Sequence, residues 1–298
     1  MDALTQASLR GWSSPVTVLE IVSATALLAG FVWWELRASA PMTDVRIFTS
    51  RVFSTSNAIL AVTFFALFGV LFTYTQYLQL VRGYGPLVAG VGAVPFAIVM
   101  ATVASSSDRM VGRFGVRSSI ATGLAVMSAG LLVLSIAADR YAPFGILAAI
   151  MALVGAGMGL VMAPATTTSM SSVAPQQASM ASSINSVVRE LGGVLGVAVI
   201  GTVVATDFRS RFEPGVDTST ADPAQIHAGA PPASALTDAA NQAYTSAMST
   251  GIQICAAVAF VGALAVIALF PAPRRPVSCP PADPANSDDE GVRSPSNP

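Results

Sequence analysis

Between Phe53 and Thr75 the chain reads FSTSNAILAVTFFALFGVLFTYT, a run with no charged residue. At the 1.5 Å rise of an α-helix it extends about 34 Å, more than the roughly 30 Å hydrocarbon core of a bilayer. Six further stretches have comparable character: Val16–Trp34, Leu87–Ser105, Ser119–Ala138, Phe144–Ala163, Ile184–Ala205 and Ile252–Phe270. Backbone polar groups in lipid must be satisfied within each segment or in a closed barrel. The alternating ten-residue pattern of a transmembrane barrel is absent from the sequence. The expected fold is therefore all-α, a polytopic membrane protein with about seven transmembrane helices.

Composition agrees. Hydrophobic residues make up 53% of the 298 and charged residues only 10%, against roughly 25% charged in soluble domains. A net charge of -1 gives no basic balance toward nucleic acid. The chain contains no lysine, so a Walker A loop, which places a Lys on nucleotide phosphates, cannot form. His227 is the only histidine, and Cys255 and Cys279 are the only cysteines, so no His/Cys cluster for zinc or haem can be assembled. No nucleophile, base and orienter can be assembled either. The expectation is no enzyme, no metal and no cofactor.

The small-residue triplet Ala38-Ser39-Ala40 after the first stretch imitates a signal-peptidase site. The length of the apolar run, its weakly charged start and the intervening Glu35 and Arg37 argue instead for a span, with Trp33 and Trp34 as an interfacial anchor. Orientation follows from arginines in short loops. With the N-terminus outside, the cytoplasmic side receives Arg37, Arg46, Arg51, Arg109, Arg113, Arg117, Arg274 and Arg275, and the outer side Arg10, Arg82, Arg140, Arg209 and Arg211. This excess places the C-terminus in the cytoplasm of a multi-pass plasma-membrane protein. The connection from Thr206 to about Thr250, rich in Ala, Pro and Asp, is then extracytoplasmic, and the Pro/Ser/Asp-rich tail after Pro271 is read as disordered.

Several segments resemble one family in order and spacing: Gly11-Trp12-Ser13-Ser14-Pro15, Glu35-Leu36-Arg37, Pro41-Met42, Arg46-Ile47-Phe48, Gln76-Tyr77-Leu78-Gln79 running into Arg82-Gly83-Tyr84-Gly85-Pro86, Met162-Ala163-Pro164, and Arg189-Glu190-Leu191-Gly192-Gly193. The chain resembles the C-terminal half of the fourteen-span drug-proton antiporters of the major facilitator superfamily, the EmrB/QacA type. The resemblance implies an extracytoplasmic segment 1–15, an accessory helix 16–34, a cytoplasmic linker 35–52, a C-terminal six-helix bundle 53–270 and a cytoplasmic tail 271–298. It also implies half of a proton-coupled exporter of lipophilic or cationic compounds, whose partners are the bilayer, substrate, protons and a separately encoded N-terminal half. The rival reading is a non-transporting scaffold, regulator or degenerate remnant.

Candidate functional residues fall into several groups. Asp108, Arg109, Gly112 and Arg113 occupy the expected inner loop between the third and fourth stretches. The family places a Gly-x-x-x-Asp-Arg-x-Gly loop there; in this chain Ala104 replaces the first Gly and Gly112 falls one residue late. Asp108 facing a helix N-terminus and pairing with Arg113 would make a gate; the alternative is positive-inside anchoring alone. Arg189 and Glu190 begin the sixth stretch, either as a pair facing the bundle interior or as an interfacial pair near Asn185. Phe64, Phe65 and Phe68, with Met151, Met158 and Met162, are candidates to line a lipophilic cavity or are lipid-facing filler. Gln76 and Gln79 should face the bundle or outer water. Glu20 is a weaker candidate. Gly155/Gly159 and Gly192/Gly196 each put two glycines on one helix face for close packing, or for sliding during alternating access.

The orientation is tested directly. An impermeant thiol reagent applied to intact cells should leave Cys279 unlabelled, and permeabilisation should expose it.

Overall fold

The computed structural model describes residues 45–139, 142–212 and 233–270, with isolated helical positions between Leu19 and Arg37. Six helices in the described residues are long and apolar enough to span a membrane, and no strand occurs among them. The seventh expected span, Val16–Trp34, lies mostly outside the described residues. Those of its positions that are described, such as Leu19, Leu27, Trp33 and Trp34, are helical and exposed.

A short 3-10 turn at Val45–Thr49 leads into α1, Arg51–Gln76. Ser50 caps α1, its side-chain oxygen accepting from the Phe53 amide. The helix winds on through one wide turn at Tyr77–Val81. Gly83, at φ 66°, then reverses the chain, a conformation that glycine adopts without steric cost. The third expected span is broken at Gly92 into α2, Pro86–Val91, and α3, Val94–Phe114, each with a proline in its first turn, where a missing N–H costs nothing. Only Gly115, at φ 85°, separates α3 from α4, Val116–Ala137. The chain continues as α5, Phe144–Ser171, then α6, Ala178–Phe212, and α7, Ala233–Leu269.

Two expectations require correction. The stretch carrying Asp108 to Arg113 is not a loop but the last turns of α3. The connection after the sixth stretch is also much shorter than Thr206 to Thr250, because α6 runs on to Phe212 and α7 begins at Ala233. The apolar run marks the hydrocarbon-embedded part of a helix, not its ends. The 35 residues of α6 extend about 52 Å, so polar turns project past the roughly 30 Å core.

The packing has an internal repeat. α1 lies against α6 as α3 lies against α5, and α4 meets α5 as α7 meets α1. The α4–α7 and α1–α5 contacts each map onto themselves. Exchanging the triple α1, α2/α3, α4 for the triple α5, α6, α7 therefore preserves the main neighbours. Three crossings separate the triples, so the second is inverted with respect to the first.

Glycines set the distance at the matching contacts. A Cβ on Gly159 would stand 2.7 Å from the Met100 carbonyl oxygen, and one on Gly155 would fall on that of Phe96. On the opposite side Gly192 would meet the Ala61 carbonyl at 2.5 Å, and Gly196 would fall on that of Phe65. Both Gly-x-x-x-Gly spacings thus serve backbone-to-backbone packing, where in lipid van der Waals contact replaces the missing hydrophobic drive between helices. Side chains turned away from these contacts, among them Ile98, Ile136, Leu191, Leu195, Val261 and Leu264, are exposed, as a lipid-facing surface requires.

Gly196→Ala should therefore lower the unfolding midpoint in detergent, by the order of the about 1–3 kcal/mol that overpacking costs. Gly112→Ala, where a Cβ meets nothing within 4 Å, should be neutral or slightly stabilising.

Candidate functional site

Phe64, Phe68 and Phe72 recur every four residues on α1, so they share one helix face. The opposing positions on α6 are Arg189, Gly193 and Gly201. The Arg189 guanidinium lies over the Phe64 ring, 5.9 Å from its centroid. A Cβ on Gly193 would touch the Phe68 ring at 3.0 Å, and one on Gly201 the Phe72 ring at 3.2 Å. Glycine thus leaves room on α6 for rings projecting from α1. Phe64 and Phe68 stack at 6.0 Å and 25°, and Phe68 remains 41% exposed. On this aromatic face with one cation at its end, Phe68 is exposed while Phe64, Phe72 and Arg189 are half-buried.

Phe65 does not join it. One position on, about 100° round the helix, it lines a separate apolar groove of about 370 Å³ with Ala61, Val62, Val188, Leu191, Gly192, Leu195 and Val258. The expectation that Phe64, Phe65 and Phe68 share one cavity is corrected accordingly. Met151 and Met158 are fully or almost fully buried in the bundle core and Met162 packs against it.

Arg189 and Glu190 diverge. Arg189 is half-buried and Glu190 exposed, and among the described residues no ion pair joins them. Glu190 instead continues an exposed polar strip of α6 formed by Ser179, Ser182, Ser183 and Ser186. Ser183 and Ser186 donate to the carbonyls of Ser179 and Ser182 at 3.1 Å each. These bonds satisfy the hydroxyls within the helix. Arg189 gains from the quadrupole of Phe64, an attraction that strengthens as water is removed.

Asn185, one turn before Arg189, belongs to a buried polar chain. The Asn57 side-chain amide donates to the Phe53 carbonyl at 2.9 Å and to Ser169 Oγ at 3.1 Å, and Ser169 donates to Asn185 Oδ1 at 3.1 Å. The three side chains are 3%, 0% and 1% exposed and tie α1, α5 and α6 together. Asn57 and Ser169 lie outside the expected site, because a small uncharged side chain inside an apolar run carries no signal in the sequence comparable to a charge. Asn57, alone among Ser and Thr in its run, was the available signal.

At the other end Gln76 is half-buried, its Oε1 accepting from the Tyr244 hydroxyl at 3.1 Å, while Gln79 is exposed. The Tyr77 hydroxyl donates to the Asp139 carbonyl at 2.5 Å. The Asp207 carboxylate receives Arg211 at 2.9 Å and the Thr250 hydroxyl at 3.0 Å, fastening α6 to α7.

Asp108, Arg109, Gly112 and Arg113 are all exposed on the last turns of α3. Five residues apart on a helix, Asp108 and Arg113 point about 140° apart, and the described residues show no ion pair between them. Arg113 stands instead over the Phe114 ring at 5.7 Å. Nearby Arg117, outside the expected set, donates to the Ile267 carbonyl in the last turn of α7, where a cation complements the helix dipole. No cluster that could hold a metal ion occurs among the described residues.

Six spanning helices in two inverted triples, with most ionisable groups of the described residues toward helix ends, define a polytopic transporter-type bundle. The chain belongs to the Major Facilitator Superfamily, whose family model matches residues 5–197. It is 36% identical over 217 residues to the multidrug resistance protein Stp of Mycobacterium tuberculosis, covering 73% of this chain and 40% of that protein. It is 27% identical over 286 residues to the tetracenomycin C resistance and export protein of Streptomyces glaucescens, covering 90% of this chain and 53% of the relative. The drug efflux pump JefA of M. tuberculosis is 31% identical over 62% of this chain and 37% of its own length. The chain thus spans about half or less of the length of these relatives.

The divergence of Arg189 from Glu190 has a measurable consequence. In a thermal-stability double-mutant cycle Arg189→Gln and Glu190→Gln should add to within about 0.5 kcal/mol. Arg189→Gln and Phe64→Leu should instead couple, because each removes the same cation–ring contact.

Proposed function

We propose that the chain is the C-terminal half of a proton-coupled multidrug efflux transporter of the fourteen-span type, exporting hydrophobic or cationic compounds from the cytoplasm. The observation that carries this reading is the partly exposed face of α1 and α6: Phe64, Phe68 and Phe72 beside Arg189, with the exposed Ser182, Ser183, Ser186 and Glu190 continuing it in polar groups. A purely lipid-facing surface would not present a carboxylate, since ionisable groups in a membrane turn to a bundle interior or to water. In a facilitator the substrate path lies between two six-helix halves that rock against one another, and this face is suited to meet the second half. Aromatic rings offer planar apolar contact to lipophilic compounds and an electron-rich surface to cations. The resistance and efflux names carried by the relatives support the substrate class.

In this reading the N-terminus is outside and the C-terminus cytoplasmic. Arg51, Arg109, Arg113 and Arg117 gather at one end of the bundle, which the positive-inside bias directs to the cytoplasm. With the Asp108–Arg113 separation on α3, these arginines serve as anchors of that end, and Arg117 also caps α7.

One six-helix half supplies only one wall of the path. Cells expressing residues 1–298 alone should show no dye efflux and no gain of drug resistance, and co-expression with a matching N-terminal six-helix half should restore both. Proton-gradient-dependent efflux by the purified chain in liposomes, with no partner added, would overturn the proposal.

A further inference from the structure

The buried chain from Asn57 through Ser169 to Asn185 has a fixed direction. Asn57 Nδ2 spends its two hydrogens on Phe53 O and Ser169 Oγ. The first of these is a carbonyl that can only accept, so the amide cannot be turned over without placing oxygen against oxygen. The Ser169 hydroxyl then donates its one hydrogen to Asn185 Oδ1. This order leaves one acceptor, Asn57 Oδ1, and one donor group, Asn185 Nδ2, both buried and without a partner in the protein. Two orphans of opposite kind on two side chains at least 97% buried are unusual, because buried polar groups are paired in the great majority of cases.

Each orphan belongs to an amide that is already bonded to Ser169. In each side-chain amide the oxygen and nitrogen are neighbours on one carbon. Ser169 bridges the nitrogen of Asn57 to the oxygen of Asn185 through two legs of 3.1 Å. The oxygen of Asn57 and the nitrogen of Asn185 are therefore the complementary atoms of the two amides that this hydroxyl joins.

We infer that these two atoms form a binding site for a single neutral molecule that donates and accepts at once, namely one water bridging α1 to α6. It accepts from Asn185 Nδ2 and donates to Asn57 Oδ1, satisfying the donor and the acceptor that the Ser169 hydroxyl leaves over. A cation would need further oxygens and would face the Arg189 guanidinium one turn along α6. An anion would meet the Asn57 carbonyl oxygen. Water is the species that satisfies both orphans, as buried waters generally do for otherwise unpaired groups. With it the two amides, the hydroxyl and the water close into a ring that clamps α1, α5 and α6.

The test uses the full chain in lipid nanodiscs with 15N-labelled asparagine. A cross-relaxation peak between the Asn185 side-chain amide protons and water is expected. In Asn57→Leu, which removes the acceptor, it should fall at least severalfold. A dry Asn185 amide in the unsubstituted chain would overturn the inference, as would a direct Asn57–Asn185 hydrogen bond with no water contact. A peak undiminished in Asn57→Leu would also overturn it, since the water would then sit elsewhere. Should that variant fail to fold, the measurement on the unsubstituted chain decides alone.

Discussion

The bundle depends on backbone meeting backbone. Where Gly192 and Gly196 face Ala61 and Phe65, and Gly155 and Gly159 face Phe96 and Met100, the interhelical gap is too narrow for a methyl group. Lipid tails are as apolar as the side chains they compete with, so apolar burial alone does not hold two such helices together. Close contact supplies dispersion over many atom pairs. The consequences spread outward: α6 drawn onto α1 brings Arg189 over Phe64 and Gly193 against Phe68, while its other side is left to lipid through Leu191 and Leu195. The glycine spacing therefore decides which residues of α1 and α6 are available for anything besides packing.

The same contact governs where polar groups can reside. Asn57, Ser169 and Asn185 sit where three helices converge, and each fixes another's orientation. A buried polar group left alone costs about 1–3 kcal/mol, so such a chain favours one relative placement of α1, α5 and α6 over its neighbours. Nearer the opposite end Gln76 with Tyr244, and Asp207 with Thr250, do the equivalent for α7. Polar contacts thus fix register, and glycine contacts fix distance.

The fold was largely legible in the sequence, because chain length against bilayer thickness is a coarse constraint that a hydropathy pattern meets or fails. Helix ends were less so. Asp108 to Arg113 reads as a charged loop, yet α3 continues through it to Gly115, since charged residues are sound helix formers once past the apolar core. The site was legible only in part. Arg189 and Glu190 stand out as charges beside an apolar run, but adjacency suggested a pair where a helix turns successive side chains about 100° apart. Phe64, Phe65 and Phe68 fall together in one apolar run, yet Phe65, one position round the helix, belongs to another face. Asn57 and Ser169 carry no charge and fall in runs already rich in Ser and Thr. Their importance depends on a contact between residues 112 positions apart, which one sequence does not display.

The inverted repeat sharpens what is particular to the α1–α6 side. Under the exchange of triples α1–α6 corresponds to α5–α3, and both pairs use glycine at the contact. They diverge in what surrounds it. On α5 the contact helix face continues into Met151 and Met158, buried in the core. On α1 the neighbouring face carries Phe64 and Phe68, with a guanidinium beside the first and the second partly open. Matching neighbours with unlike side chains mean that the architecture alone does not require an aromatic, cationic surface at this place. The difference lies in the residues decorating the repeat, and function is argued from such decoration rather than from the fold that carries it.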